Sequence, residues 1–200
     1  MIKITVASEI EKAVRQLKTI AEERQFKFSV AKALTNTAVE VQKEVRKNMP
    51  QRFTIRRQWV VNGIKMERAT KDNLTATVYS RDKFMGLQEL GGPKSPLRNY
   101  LALPTSMVRR TKTDVIKMAD RPKNLGDKVE IVEIEGRKWL ALKRPRKAAN
   151  GQRLKLLYLL VPRARLQKRL GLGDDAIKIS KQRFTENLRA AMEFALRTAR

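Results

Sequence analysis

The run Leu154-Lys-Leu-Leu-Tyr-Leu-Leu-Val161 narrows the fold most, because an extended chain of this composition is apolar on both faces. A strand covered on two sides belongs at the centre of a sheet. Asn150-Gly151 leads into it and Pro162 ends it, a turn signal and a stop signal. Upstream, Val129 to Ile134 and Lys138 to Leu142 alternate and are joined through Glu135-Gly136. Joins of that kind link neighbouring antiparallel strands, so the three runs predict a meander. Tyr100 to Leu103 predicts one further strand. Trp59 to Met66 and Leu74 to Tyr79 predict a pair closed by Lys71-Asp72-Asn73, and Ile2 to Val6 alternates as a short strand.

Helices flank these strands. Ser8 with Glu11 forms a capping box ahead of Ile10, Val14, Leu17 and Ala21 at helical spacing. A second helix is expected from about Ser29, with Val30, Leu34, Ala38, Val41 and Val45 on one stripe and Pro50 as its stop. A final helix from about Ser180 carries Phe184, Leu188, Ala191 and Ala195 on one face, with Arg183, Arg189 and Arg197 off that seam. The whole predicts an α+β fold: an antiparallel meander packed with N-terminal helices and a long C-terminal helix. We read residues 1–200 as one domain. Its segment from about 105 to 127 is polar and aperiodic, so it is expected to be functional or to order only on binding.

Charge then bounds the partners. There are 45 Lys plus Arg against 20 Asp plus Glu, a net charge of +25. Such an excess repels itself and calls for a polyanion or an acidic protein neighbour. With 42% hydrophobic residues the chain can still bury a core. Cysteine and histidine are both absent, which excludes disulfide scaffolds, thiolate and imidazole metal sites, and the Ser-His-Asp and Cys-His nucleophiles. No apolar run approaches the roughly 20 residues of a membrane span. Met-Ile-Lys-Ile-Thr-Val at the start has no signal-peptide core, so a soluble protein made in the cytoplasm, without membrane contact, is expected.

Little catalytic chemistry remains. Asp127, Glu130, Glu133 and Glu135 near Lys138 form the densest acidic segment, the raw material of a Mg²⁺-dependent nuclease. Glu133 and Glu135 share one strand face while Glu130 lies on the other, so solvent-facing carboxylates are the simpler account. Gly91-Gly92 lacks the Gly-Lys-Ser/Thr ending of a phosphate loop and reads as a turn. Trp59 and Trp139 fit core or interface anchors better than base-stacking platforms. No enzyme, cofactor or metal is expected. The contact candidates are the basic clusters: Arg56-Arg57, then Arg109, Arg110 and Lys112, then Lys143, Arg144, Arg146 and Lys147, then Arg163, Arg165, Lys168 and Arg169. They fall at element ends, where side chains reach phosphates or acidic neighbours, and none has the helix-in-groove pattern of a sequence reader.

One stretch carries a family likeness. Ala33-Leu-Thr-Asn-Thr-Ala38 leads into Val41-Gln-Lys-Glu-Val-Arg46, and Met49-Pro-Gln-Arg-Phe53 continues to Trp59-Val-Val-Asn-Gly63. Phe84-Met85, Gln88-Glu-Leu-Gly-Gly92 and Leu101-Ala-Leu-Pro-Thr105 follow in order. Over about residues 25 to 110 the chain resembles the minor tail protein Z family of lambda-like long-tailed phages, and the closing helix resembles that of the wider tail-completion group. Residues 111–175 carry no family signature. The likeness implies a non-catalytic virion protein that completes the head-proximal end of the tail and supports head–tail joining. It implies a ring, six copies by tail symmetry, touching tail-terminator, tail-tube, tape-measure or head-connector proteins, with DNA in the channel as a non-specific contact. Trp59, Phe84 and Met85 are then the expected subunit-interface anchors. The alternative from charge alone is a free-standing, non-specific nucleic-acid-binding protein.

Overall fold

The stripe Val30, Leu34, Ala38, Val41 and Val45 lies on one long helix, and all five residues are fully buried. A computed structural model describes residues 2–5, 20–96, 99–143 and 154–198 of the chain. Their elements run β1 (Ile2–Thr5), α1 (Ile20–Arg52), α2 (Trp59–Asn62), β2 (Ile64–Glu67), β3 (Thr75–Ser80), α3 (Phe84–Leu90), β4 (Gly92–Lys94) and β5 (Leu101–Pro104). After a region of short turns come α4 (Pro122–Leu125), β6 (Val129–Ile134), β7 (Arg137–Leu142), β8 (Leu156–Val161), β9 (Ala164–Leu166) and α5 (Leu172–Thr198). The fold is α+β with antiparallel sheets and a long C-terminal helix. Two compact units result, one of Met1–Gly91 with Gln167–Arg200 and one of Gly92–Leu166.

In the first unit α1 and α5 pack on each other, and α1 also lies on a three-stranded sheet of order β1-β3-β2. Ile64, Ala76 and Val78 from that sheet are buried against the stripe of α1, as are Met49, Leu170, Leu172 and Ala176. Burying a Val or Leu side chain contributes about 1.5–3 kcal/mol, so this stripe is the main source of the unit's stability. Ala191 and Ala195 of α5 are buried and Phe184 and Leu188 pack partly buried, so the predicted seam is the one used.

Several boundaries differ from expectation, each for a physical reason. The capping box at Ser8 and Glu11, with Ile10, Val14 and Leu17, lies outside the described residues. Ser29 does not start a helix: it sits inside α1 and its hydroxyl donates to the Gln25 carbonyl at 2.9 Å. A serine that returns its hydrogen bond to the preceding turn needs no cap. Pro50 does not stop α1, which runs two residues further. Buried Met49 and anchored Arg52 hold that last turn, and Phe53 N–H still reaches the Met49 carbonyl at 2.9 Å. Trp59 opens the helical turn α2 and not a strand, so pairing with β3 begins only at Ile64. The final helix begins at Leu172, eight residues before Ser180.

The anchor of Arg52 is the least visible feature in sequence. Its guanidinium makes two bonds to the Asp175 carboxylate, at 2.7 and 2.8 Å, and one to the Leu170 carbonyl at 2.5 Å. The hydrogen bonds that Arg52 donates to Asp175 raise the arginine pKa above its already high value. Gly171 at φ 62° lies so close that a Cβ there would stand 3.0 Å from the guanidinium. Glu89 of α3 accepts from the Leu172 and Gly173 amides at 2.8 and 3.0 Å, which caps the start of α5 with negative charge.

In the second unit the sheet order is β5-β8-β7-β6, so the apolar run Leu156–Val161 occupies an interior position as predicted. Glu135 and Gly136 both have positive φ, 51° and 70°, in the two-residue turn joining Ile134 to Arg137. The segment from 105 to 127 has structure of its own. Thr105 donates to the Leu156 carbonyl at 2.7 Å, Arg110 bridges Ile116, and the Tyr158 hydroxyl donates to the Asp120 carbonyl at 2.6 Å. Val108, Leu125, Leu157 and Tyr158 form a small core beneath it.

Removing Arg52 from this partly buried ion pair strands the buried Asp175 carboxylate. Arg52→Ala should cost about 3 kcal/mol of stability in urea unfolding, and Arg52→Met with Asp175→Leu should recover most of it.

Candidate functional site

Where α1 ends, Phe53 and Ile55 lean partly buried against the core and the chain turns into Trp59. Phe84, at the start of α3, meets Trp59 edge to face, with ring centres 6.2 Å apart and planes at 88°. Such pairs contribute about 0.5–1.5 kcal/mol beyond the area they bury. Yet the two rings remain 48% and 51% exposed, unusual for large aromatic groups. Between them opens a groove of about 240 Å³, walled by Phe53, Ile55, Trp59, Val60 and Phe84 with Met85 at its base. Arg56 and Arg57 are exposed on its rim. The Arg169 guanidinium stands 5.8 Å from the centre of the Phe53 ring, a cation–π distance.

The groove is held rigidly from behind. The Arg169 and Leu170 amides both donate to the Gln88 carbonyl, at 2.8 and 3.0 Å. Gly91, at φ 71°, ends α3 with its amide on the Leu87 carbonyl at 2.9 Å. With Glu89 on the start of α5, these bonds fix the helix that presents Phe84. Gly91-Gly92 is therefore a helix stop followed by strand β4.

The structure brings Arg56, Arg57, Trp59, Phe84 and Arg169 to one surface of the first unit, with Met85 beneath it. Met85 is 2% exposed, so it is a core residue that supports the groove and not itself a contact. Lys168 is drawn to Asp174, at 3.0 Å. In the second unit Arg109 makes a two-pronged pair with Asp120, at 3.0 and 2.8 Å, and Arg110 pairs with Asp114 at 3.3 Å. These two arginines order the loop that carries them. Lys112, Lys143, Arg163 and Arg165 are exposed. Arg144, Arg146 and Lys147 lie outside the described residues.

The acidic segment spreads along an edge. Glu130 and Glu133 stand exposed on β6 with Asp127 before it and Glu135 in its turn, beside Ile131 at 60% and Ile134 at 38% exposure. Lys138, opposite Glu133 in register, donates to the Tyr100 hydroxyl at 3.1 Å, and that bond raises its pKa. Among the described residues no three metal-ligating side chains converge, and no helix is long and apolar enough to cross a membrane. The Glu89 cap and the Arg52 anchor were missed by sequence reasoning. Their partners lie 83 and 123 residues away, beyond any local pattern.

The Arg109 guanidinium, through its hydrogen bonds, holds the Asp120 carboxyl below the usual carboxylate range. A folded pKa below the unfolded one gives stability that is in place above the unfolded value, about 4, and drains away as pH falls through the folded value. Arg109→Gln should therefore be less stable than the parent at pH 7 and lose less on acidification below about pH 4. Unfolding followed at Trp139, the single tryptophan of the second unit, checks this.

No family model, no curated protein and no solved structure matches this chain.

Proposed function

We propose that this chain is a structural virion protein that completes the head-proximal end of a phage tail, supports head–tail joining, and works as a ring around the DNA channel. The exposed aromatic groove carries the reading. Phe53, Trp59 and Phe84 all belong to the stretch that resembles the minor tail protein Z family, and there they line one groove, open to solvent at Trp59 and Phe84. An apolar wall rimmed by guanidinium groups suits a protein neighbour with an apolar, acidic face. Exposed Lys112, Lys143, Arg163 and Arg165 supply further positive charge for acidic neighbours or for DNA phosphates. No catalytic step is part of the proposal.

The net charge of +25 favours a second reading, a free-standing nucleic-acid-binding protein. The two make different demands. A tail protein is present in purified tails at fixed stoichiometry by quantitative mass spectrometry; its absence from them, with no ring in solution, would contradict the first reading. A free-standing binder holds duplex DNA as an isolated chain, with log affinity falling linearly in log salt. The tail reading predicts normal incorporation together with weak duplex binding at physiological salt. Tight binding by the isolated chain, without incorporation, would favour the second.

A further inference from the structure

Two surfaces of this chain complement each other, and each resists pairing with itself. The groove presents half-exposed Trp59 and Phe84 under the positive rim of Arg56 and Arg57. Its matching occupant is a short segment with aliphatic side chains beside carboxylates. Strand β6 is such a segment: each face pairs an exposed isoleucine with an exposed glutamate, Ile131 with Glu133 on one and Ile134 with Glu130 on the other.

Among the described residues β6 is also an edge strand, paired with β7 on one side. An edge of this kind is a template for another chain unless something blunts it. Here the block is selective. Two β6 strands laid side by side would set glutamates beside glutamates, and two grooves face to face would set arginines beside arginines. Like charges in such positions oppose pairing, which disfavours a symmetric two-fold contact. Groove against strand joins opposite charges and buries aromatic and aliphatic surface together. The opposite edge, β5, reads Leu101-Ala-Leu-Pro104 and has no carboxylate to meet the rim.

We propose that the acidic edge strand β6 of one copy seats in the aromatic groove of the next, head to tail, with Glu133 facing Arg57. A contact between two different surfaces repeats from copy to copy and closes into a ring where the rotation permits. The inference deepens the ring reading above and rests on it.

The chain has no cysteine, so single introduced thiols report cleanly. Arg57→Cys and Glu133→Cys, mixed under mild oxidation, should give a cross-linked pair at least tenfold more abundant than either variant gives alone. In sedimentation velocity, Arg57→Glu and Glu133→Arg should each raise the dissociation constant between copies at least tenfold. Both residues are exposed, so the folded chain should tolerate either change. The double variant Arg57→Glu/Glu133→Arg should return to within about threefold of the parent, since the swapped charges attract again. Absence of the mixed cross-link, a parent chain that stays monomeric, or a double variant no better than the singles would overturn the contact. Normal presence in purified tails alongside such a failure would overturn only β6 as the occupant. Cross-linking by a chain absent from tails would leave the contact and remove the tail reading.

Discussion

The Arg52–Asp175 pair is the joint on which the first unit depends. Arg52 ends α1 just after a proline, and Asp175 lies in the first turn of α5, so one partly buried charge pair ties the end of one long helix to the start of the other. Gly171 leaves space for the guanidinium, and the Leu170 carbonyl takes a further bond from it. Glu89 brings α3 to the same junction by capping α5. The chain leaving this joint is Phe53, and the helix braced against it carries Phe84, so the groove inherits its shape from the joint. Arg183 with Glu40 also links the two helices, but the arginine is exposed and solvent screens that pair.

Periodicity revealed what burial decides locally. The stripe of α1, the seam of α5, the Glu135-Gly136 turn and the interior place of β8 all follow from spacing and turn chemistry. Boundaries escaped where a side chain had two uses. Ser29 looks like a cap but serves inside a helix, and Pro50 looks like a stop although buried Met49 holds the turn around it. Trp59, Val60 and Val61 are strand-favouring residues and pass for the start of a strand, yet the short run before Gly63 coils instead. The segment from 105 to 127 read as functional or ordering only on binding, because its order comes from Arg109–Asp120 and Tyr158–Asp120, which no period encodes. Trp59 and Phe84 were visible as candidates through the family likeness, whereas their edge-to-face contact depends on the distant joint.

Positive charge first pointed to nucleic acid, and the structure divides it by use. Arg52, Arg109, Arg110, Lys168 and Arg183 are engaged by carboxylates of their own chain. Arg56 and Arg57 border an apolar groove, where charge selects a partner more than it adds affinity. Exposed Lys112, Lys143, Arg163 and Arg165 belong to the set that can meet a polyanion. Four of the 20 acidic residues, Asp127, Glu130, Glu133 and Glu135, lie along or beside the β6 edge, and the rest are spread over the chain.

The central claim, a tail-end ring joined through the groove, is tested most directly by a three-dimensional image of the purified tail at side-chain resolution. The account predicts a closed ring of this chain at the head-proximal end, each Trp59–Phe84 groove covered by the β6 strand of the adjoining copy. A tail end without this chain, or a ring in which the groove faces solvent, would contradict it.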